Sequence, residues 1–255
     1  MRAPCPAEAD CQLVTRFERS PNADRREAPI DTLVLHYTGM PSKADAIGWL
    51  CAPEAKVSAH YVVEEDGTVI QLVPEAARAW HAGVSSWAGR SGLNDTSIGI
   101  EIVNPGHEHG YRDFPERQIE AVTDLVLDIL ARRTIPPRRV LAHADIAPTR
   151  KEDPGERFPW RRLAEHGACV FCEPIVVDDG TAPVELRERS EASEGLLRDL
   201  KTFGYDVDSN TEFTHIAKAC VVAFQRRFLP HRVDGIADAT LLATLHEAAR
   251  RFPAA

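Results

Sequence analysis

Apolar residues recur along this chain in two periods. They come as short, β-branched-rich runs bounded by turn residues at Leu33–Leu35, Val57–Val63, Thr68–Val73, Ser97–Val103 and Val140–Ala142, and these runs predict strands. Between the second and third, Glu64–Gly67 ends in Asp-Gly, a strong hairpin signal. In Ser97–Val103 the residues Ile98, Ile100 and Ile102 alternate with Ser97, Gly99 and Glu101, so Glu101 is expected on the face opposite the isoleucines. Over Pro115–Arg133 the period changes. Ile119, Val122, Leu125, Val126, Ile129 and Leu130 recur at three and four, which predicts an amphipathic helix that Pro136-Pro137 breaks. A shorter helix is expected over Ala44–Leu50, with Ser42 as its cap and Asp45 three residues on, and another over Arg161–His166.

The pattern shifts after Trp160. Pro174–Pro183 reads as a linker or surface loop, and three helical stripes follow. They are Leu196, Leu197, Leu200 and Phe203, stopped by Gly204; then Ile216, Ala219, Cys220, Ala223 and Phe224 in a helix over Thr214–Phe228; then Leu241, Leu242, Leu245 and Ala249 over Asp238–Arg250. Three helices in about 65 residues suffice for a small bundle. Residues 1–29 are polar and rich in Pro and Arg, so an irregular lead-in is expected. Trp80–Trp87 has no steady period and reads equally as the wall of a site or as a surface loop.

Composition narrows the function class. The 255 residues carry a formal net charge of -9, which argues against binding nucleic acid. Of six cysteines only Cys169 and Cys172 are close, in a lone C-x-x-C whose apolar middle favours two ordinary thiols beside a core. No run reaches transmembrane length, and the N-terminal stretch, Cys5 included, lacks the apolar segment of a secretory or lipoprotein signal. The expectation is a cytoplasmic protein; the alternative is a periplasmic or outer-membrane-associated one whose targeting segment is missing.

His36 and His143 each follow a short apolar run, where a strand end holds a side chain rigidly. With Asp153 across a loop, they compose a two-imidazole, one-carboxylate set that suits zinc and leaves a position open. Glu101 is a candidate general base, and Lys151 a candidate for holding an oxyanion. Each also has an ordinary reading: strand-end histidines with routine hydrogen bonds, a solvated loop aspartate, an outward-facing glutamate, a surface lysine. No H-E-x-x-H is present, which disfavours the common zinc peptidases. The residues by themselves reach no further than a metallohydrolase.

Longer motifs carry a resemblance. The segments LVLHYTG at 33–39, VSAHYVV at 57–63, GTVIQLVPEAARAWHAG at 67–83, LNDTSIGIEIVNPG at 93–106 and LAHADIAPTRKEDPGERFPW at 141–160 resemble, in order, the zinc-dependent N-acetylmuramyl-L-alanine amidases of the AmpD and AmiD type, the AmiD group more closely. The resemblance implies an α/β fold with a central mixed β-sheet flanked by helices. It implies Zn2+ held by His36, His143 and Asp153, with Glu101 and Lys151 catalytic and His60, Trp80 and His81 in the substrate groove. The implied reaction is hydrolysis of the amide between N-acetylmuramic acid and L-alanine in peptidoglycan fragments or muropeptides. The alternative on the same scaffold is a non-catalytic peptidoglycan recognition protein. The runs LLRDLKTFGYDVDSNTEF, ACVVAFQRRF and VDGIADATLLATL resemble a small three-helix peptidoglycan-binding domain, with Asn210-Thr211-Glu212 where that domain often has a glycine. The expected division is 1–27 irregular, 28–170 amidase, 171–185 linker and 186–255 helical domain.

Overall fold

The computed structural model describes residues 9–208 and 212–254. Cys5 and the Asn210-Thr211 turn therefore lie outside the described residues. In chain order the strands are β1 (Arg16–Phe17), β2 (Ala23–Arg25), β3 (Thr32–Tyr37), β4 (Tyr61–Val63), β5 (Val69–Gln71), β6 (Ala77–Ala79), β7 (Ser86–Trp87), β8 (Arg90–Ser91), β9 (Ser97–Ile102) and β10 (Val140–Ala142). The helices are α1 (Lys43–Cys51), α2 (Glu116–Arg133), α3 (His143–Ile146), α4 (Trp160–Glu165), α5 (Glu191–Phe203), α6 (His215–Phe228) and α7 (Ala239–Arg251).

Six strands form a mixed sheet in the order β1-β5-β4-β9-β3-β10. The β4–β5 hairpin is antiparallel, whereas β4, β9, β3 and β10 run parallel to one another. Register sets the two faces. Leu33 and Leu35 pair with Ile98 and Ile100, and all four are fully buried in the main apolar cluster together with the Ile119, Val122, Leu125, Val126 and Ile129 stripe of α2. His36 pairs with Glu101, so these two side chains leave the opposite face side by side. On that face α1 supplies Ile47 and Leu50, which cluster with Val62, Ile70 and Leu72. Ser42 caps α1 as expected, its hydroxyl accepting from the Asp45 N–H at 3.1 Å. The parallel strands all end at one edge of the sheet, and the functional residues gather at that carboxyl edge, the usual place for a site in such a sheet.

The α5–α7 cluster shares the main apolar cluster with the sheet: Leu200, Phe203, Phe224, Phe228 and Leu245 belong to the same contiguous core as Leu35 and Ile100. Gly204 ends α5 at φ 135, and a Cβ there would stand 2.3 Å from the Trp87 ring. The glycine thus lets Trp87 dock edge-on against Phe203 and Tyr205 while the Ala88 N–H donates to the Gly204 carbonyl at 2.7 Å. Cys169 and Cys172 are free thiols packed against the Trp160 and Thr244 carbonyls, and burial pushes both up to about 11, so they are inert at neutral pH.

Three expectations need correction. The lead-in is not simply irregular: β1 pairs with β5 at the sheet edge, β2 pairs with β6, and Val14 is fully buried. These strands are two and three residues long, too short for a period to show. Val57–His60 is not strand, and β4 begins only at Tyr61. Ile216 lies on the exposed side of α6, half accessible, because Ala217, Cys220, Val221 and Phe224 form the inward stripe.

Glu75 ties the far end of α2 to the β5–β6 connection. Its fully buried carboxylate accepts from Tyr61 Oη at 2.6 Å, from Arg132 Nη1 and Nη2 at 2.9 and 2.8 Å, and from Arg133 Nε at 2.5 Å. Burial by itself would raise its pKa, but the hydrogen bonds from Arg132 and Tyr61 and the two arginine charges outweigh that and lower it. A depressed carboxylate contributes stability that is complete above its ordinary pKa of 4.5 and is lost as pH falls below it. Glu75→Ala should cost about 2–3 kcal/mol at neutral pH by removing the acceptor that a buried hydroxyl and two guanidinium groups share, Arg132 keeping only Asp128. Chemical denaturation at neutral pH and at acid pH should show the difference between the two proteins shrinking on acidification.

Candidate metal centre

Three atoms converge at the carboxyl edge of the sheet. His36 Nδ1 lies 2.8 Å from His143 Nδ1 and 3.1 Å from Asp153 Oδ2, and His143 Nδ1 lies 3.0 Å from Asp153 Oδ2. All three residues are buried. His36 comes from the end of β3, and His143 opens α3 directly after β10. Asp153 is brought back by the loop after α3, where the Ala144 N–H donates to the Asp153 carbonyl at 2.9 Å.

The surrounding hydrogen bonds fix which ring nitrogens carry protons. The Leu93 carbonyl can only accept, so Ser97 Oγ donates to it at 2.5 Å. Ser97 Oγ then accepts from His81 Nε2 at 3.1 Å, which leaves His81 Nδ1 bare to accept from His36 Nε2 at 3.0 Å. His36 Nδ1 therefore turns a lone pair toward the cluster. For His143, Nε2 faces the Ala82 carbonyl at 3.3 Å and the donor Arg150 Nη2 at the longer distance of 3.5 Å, so the nearer acceptor favours a proton on Nε2 and a lone pair on Nδ1. Burial, reinforced by His143, pushes His36 down to about 4, so His36 itself is neutral at neutral pH. Two imidazole lone pairs and a carboxylate oxygen held this close repel one another until a cation sits between them, so the donor set fits a metal ion.

The set opens into a cavity of about 330 Å³ whose lining includes Tyr37, Trp49, Trp80, Glu101 and Lys151. Glu101 is part of that lining, and its Oε2 has no hydrogen-bond partner and no solvent access. Burial, then the charge of Asp153, raises its pKa well above the ordinary value, against the opposing pull of Lys151. A carboxyl raised in this way is suited to taking a proton and passing it on. Lys151 is exposed on the cavity rim.

The remaining sequence-derived candidates fall in two places. Trp80 is half-buried in the cavity wall, its indole N–H donating to Asp24 at 2.7 Å. His81 reaches the wall but is chiefly the partner of His36. His60 lies behind it, fully buried, with Nδ1 accepting from the Gly99 N–H at 3.0 Å and Nε2 2.9 Å from Arg26. Burial, then the Arg26 charge, pushes His60 down to about 3. His107 is half-buried at the cavity, with Tyr37 Oη and Glu156 flanking its two nitrogens at 3.0 and 3.1 Å.

Sequence reasoning missed Arg26, Ser97 and Gly99. Arg26 left no signal inside a polar stretch. Gly99 left one, since a glycine inside a strand marks a close approach: a Cβ there would stand 2.4 Å from the His81 ring.

Comparison with known proteins agrees with this geometry. A family model described as N-acetylmuramoyl-L-alanine amidase matches residues 26–156. The chain is 39% identical over 227 residues to the N-acetylmuramoyl-L-alanine amidase AmiD of Escherichia coli (strain K12), covering 82% of this chain and 79% of that protein. It is 43% identical over 164 residues to the 1,6-anhydro-N-acetylmuramyl-L-alanine amidase AmpD of the same organism, covering 56% of this chain and 87% of that one. Among solved structures, the E. coli AmiD complex with the substrate anhydro-N-acetylmuramic acid-L-Ala-D-gamma-Glu-L-Lys superposes with a TM-score of 0.73 at 36% identity, covering 89% of this chain and 93% of that one.

His81→Ala should weaken metal binding about 10- to 100-fold, because it removes the acceptor that fixes the His36 tautomer. Competition against a chromophoric chelator reads this directly, and an unchanged affinity would contradict the assigned relay.

Proposed function

Because the chain belongs to the N-acetylmuramoyl-L-alanine amidase family, we propose that it hydrolyses the amide joining N-acetylmuramic acid, or its anhydro form, to the L-alanine of peptidoglycan stem peptides. The observation that carries this reading is the convergence of His36 Nδ1, His143 Nδ1 and Asp153 Oδ2 beside a carboxylate whose inner oxygen is unpartnered. These three residues would hold Zn2+, which when bound polarises a carbonyl and acidifies water.

The chain's own groups do the rest. Glu101, raised by burial, takes the proton from the attacking water and delivers it to the departing L-alanine amine. Lys151, on the cavity rim, brings a positive charge to the oxygen of the scissile carbonyl as it becomes an oxyanion. Trp80 and the edge of His81 form the wall against which the muropeptide lies, while His60 supports that wall from behind. No covalent intermediate is required. Retention of Glu101 and Lys151 beside the complete ligand set favours catalysis over recognition alone.

The substrate class is peptidoglycan fragments or muropeptides, supported by the ligand bound to the E. coli AmiD relative. We read residues 28–170 as the amidase unit, 171–185 as a linker and 186–255 as a peptidoglycan-binding-like unit, on the sequence runs that resemble such domains. The compartment we propose is the cytoplasm, with the periplasm or outer membrane as the alternative. Among the described residues no helix is long and apolar enough to cross a membrane.

Glu101→Ala should keep its zinc, measured by elemental analysis, yet lose about 10²–10⁴-fold in release of stem peptide from muropeptide. Turnover close to that of the unaltered chain would remove Glu101 from the mechanism.

A further inference from the structure

The loop that carries His143, Lys151 and Asp153 is gripped at two points by one helix of the C-terminal cluster. At the first point, Asp145 turns back along α3, and its Oδ2 accepts from the Ala142 N–H at 2.8 Å, fixing the backbone on both sides of His143. Asp145 is itself held from outside the amidase segment. Tyr205 Oη, just past the end of α5, donates to Asp145 Oδ1 at 2.8 Å, and Arg227 Nη1, on α6, approaches Oδ2 at 3.4 Å. Arg227 also donates to the Val140 carbonyl at 3.1 Å, at the start of β10, and to the Val170 carbonyl at 2.7 Å. Its guanidinium lies 4.1 Å from the Trp160 ring centroid. Tyr205, Arg227 and Asp145 are all buried, so solvent does not compete for these bonds.

At the second point, the adjacent Arg226 pairs with Glu152 and approaches Glu156 at 3.7 Å. Glu152 stands between Lys151 and Asp153 in the chain. Two consecutive arginines of α6 therefore reach both metal-ligating segments of the loop, Arg227 fully buried and Arg226 partly so.

We propose that Tyr205, Arg226 and Arg227 are positioning residues for the metal centre, so that the C-terminal helices act as the outer brace of the His143–Asp153 loop. The inference rests on the metal reading above. A ligand set loses affinity when the groups orienting it are removed, because part of the binding free energy goes into re-ordering the ligands. Tyr205→Phe deletes one hydroxyl and leaves the apolar contacts with Trp87 in place.

The test is zinc affinity by chelator competition at neutral pH, alongside the unfolding midpoint of the metal-free protein. Tyr205→Phe should bind zinc about tenfold more weakly. The double variant with Asp145→Ala should bind no more weakly than Asp145→Ala alone, since the Tyr205 hydroxyl reaches the centre through the Asp145 carboxylate. Leu245→Ala, a core change in α7, should lower the unfolding midpoint and leave zinc affinity unchanged. Unaltered affinity in Tyr205→Phe, or an equal loss in Leu245→Ala, would overturn the proposal. If Tyr205→Phe does not fold, Arg226→Gln at its partly exposed position carries the same test, and unchanged affinity there overturns it. Failure of the unaltered chain to bind zinc would instead overturn the metal reading, and this inference with it.

Discussion

Two imidazole nitrogens with their lone pairs facing each other at 2.8 Å, against a buried carboxylate oxygen, form an arrangement that a protein cannot hold cheaply without a cation. Everything around the cluster serves to keep it from relaxing. The relay from His36 through His81 and Ser97 to the Leu93 carbonyl denies His36 its other tautomer, and the Ala82 carbonyl does the same for His143. Rotation of either ring would break one of these hydrogen bonds between buried side chains.

The sheet supplies rigidity along two of the three approaches. His36 and Glu101 are in-register neighbours on β3 and β9, so their separation is set by backbone hydrogen bonds rather than by side-chain rotamers. His143 follows β10, which pairs with β3 through Val140, Leu141 and Ala142. Asp153 and Lys151 have no strand beneath them. Their loop is held by the Asp145 turn and by contacts from α6, which makes the C-terminal cluster part of the same mechanical unit as the metal centre. The one contiguous apolar core shared by sheet and helices is the packing counterpart of that coupling.

Much of this was legible in the chain. The strands at 33–35, 97–103 and 140–142, the α2 stripe, the α1 cap and the Gly204 stop all follow from period and capping chemistry, because each is decided by residues close in sequence. His36, His143 and Asp153 were individually ambiguous and became a set only through the long motifs resembling a known family. What stayed hidden depends on contacts far apart in sequence. Arg26 meets His60 across 34 residues, and Arg227 meets Asp145 across 82. A polar residue in a polar stretch, or an arginine on a helix, gives no local sign that it will be buried. Strands as short as β1 and β2 show no period at all, and Ile216 was assigned inward because its neighbours in the stripe left the phase of α6 uncertain by one residue.

A metal-dependent cut at one bond is what separates this site from one that only recognises its ligand. The decisive experiment is mass spectrometry of a muropeptide mixture containing anhydro and reduced forms, incubated with zinc-loaded protein and with a chelated control. Free stem peptide and the matching sugar product should appear only where zinc is present. Intact muropeptides of both forms, with protein shown to hold zinc, would contradict it and make the site one for recognition.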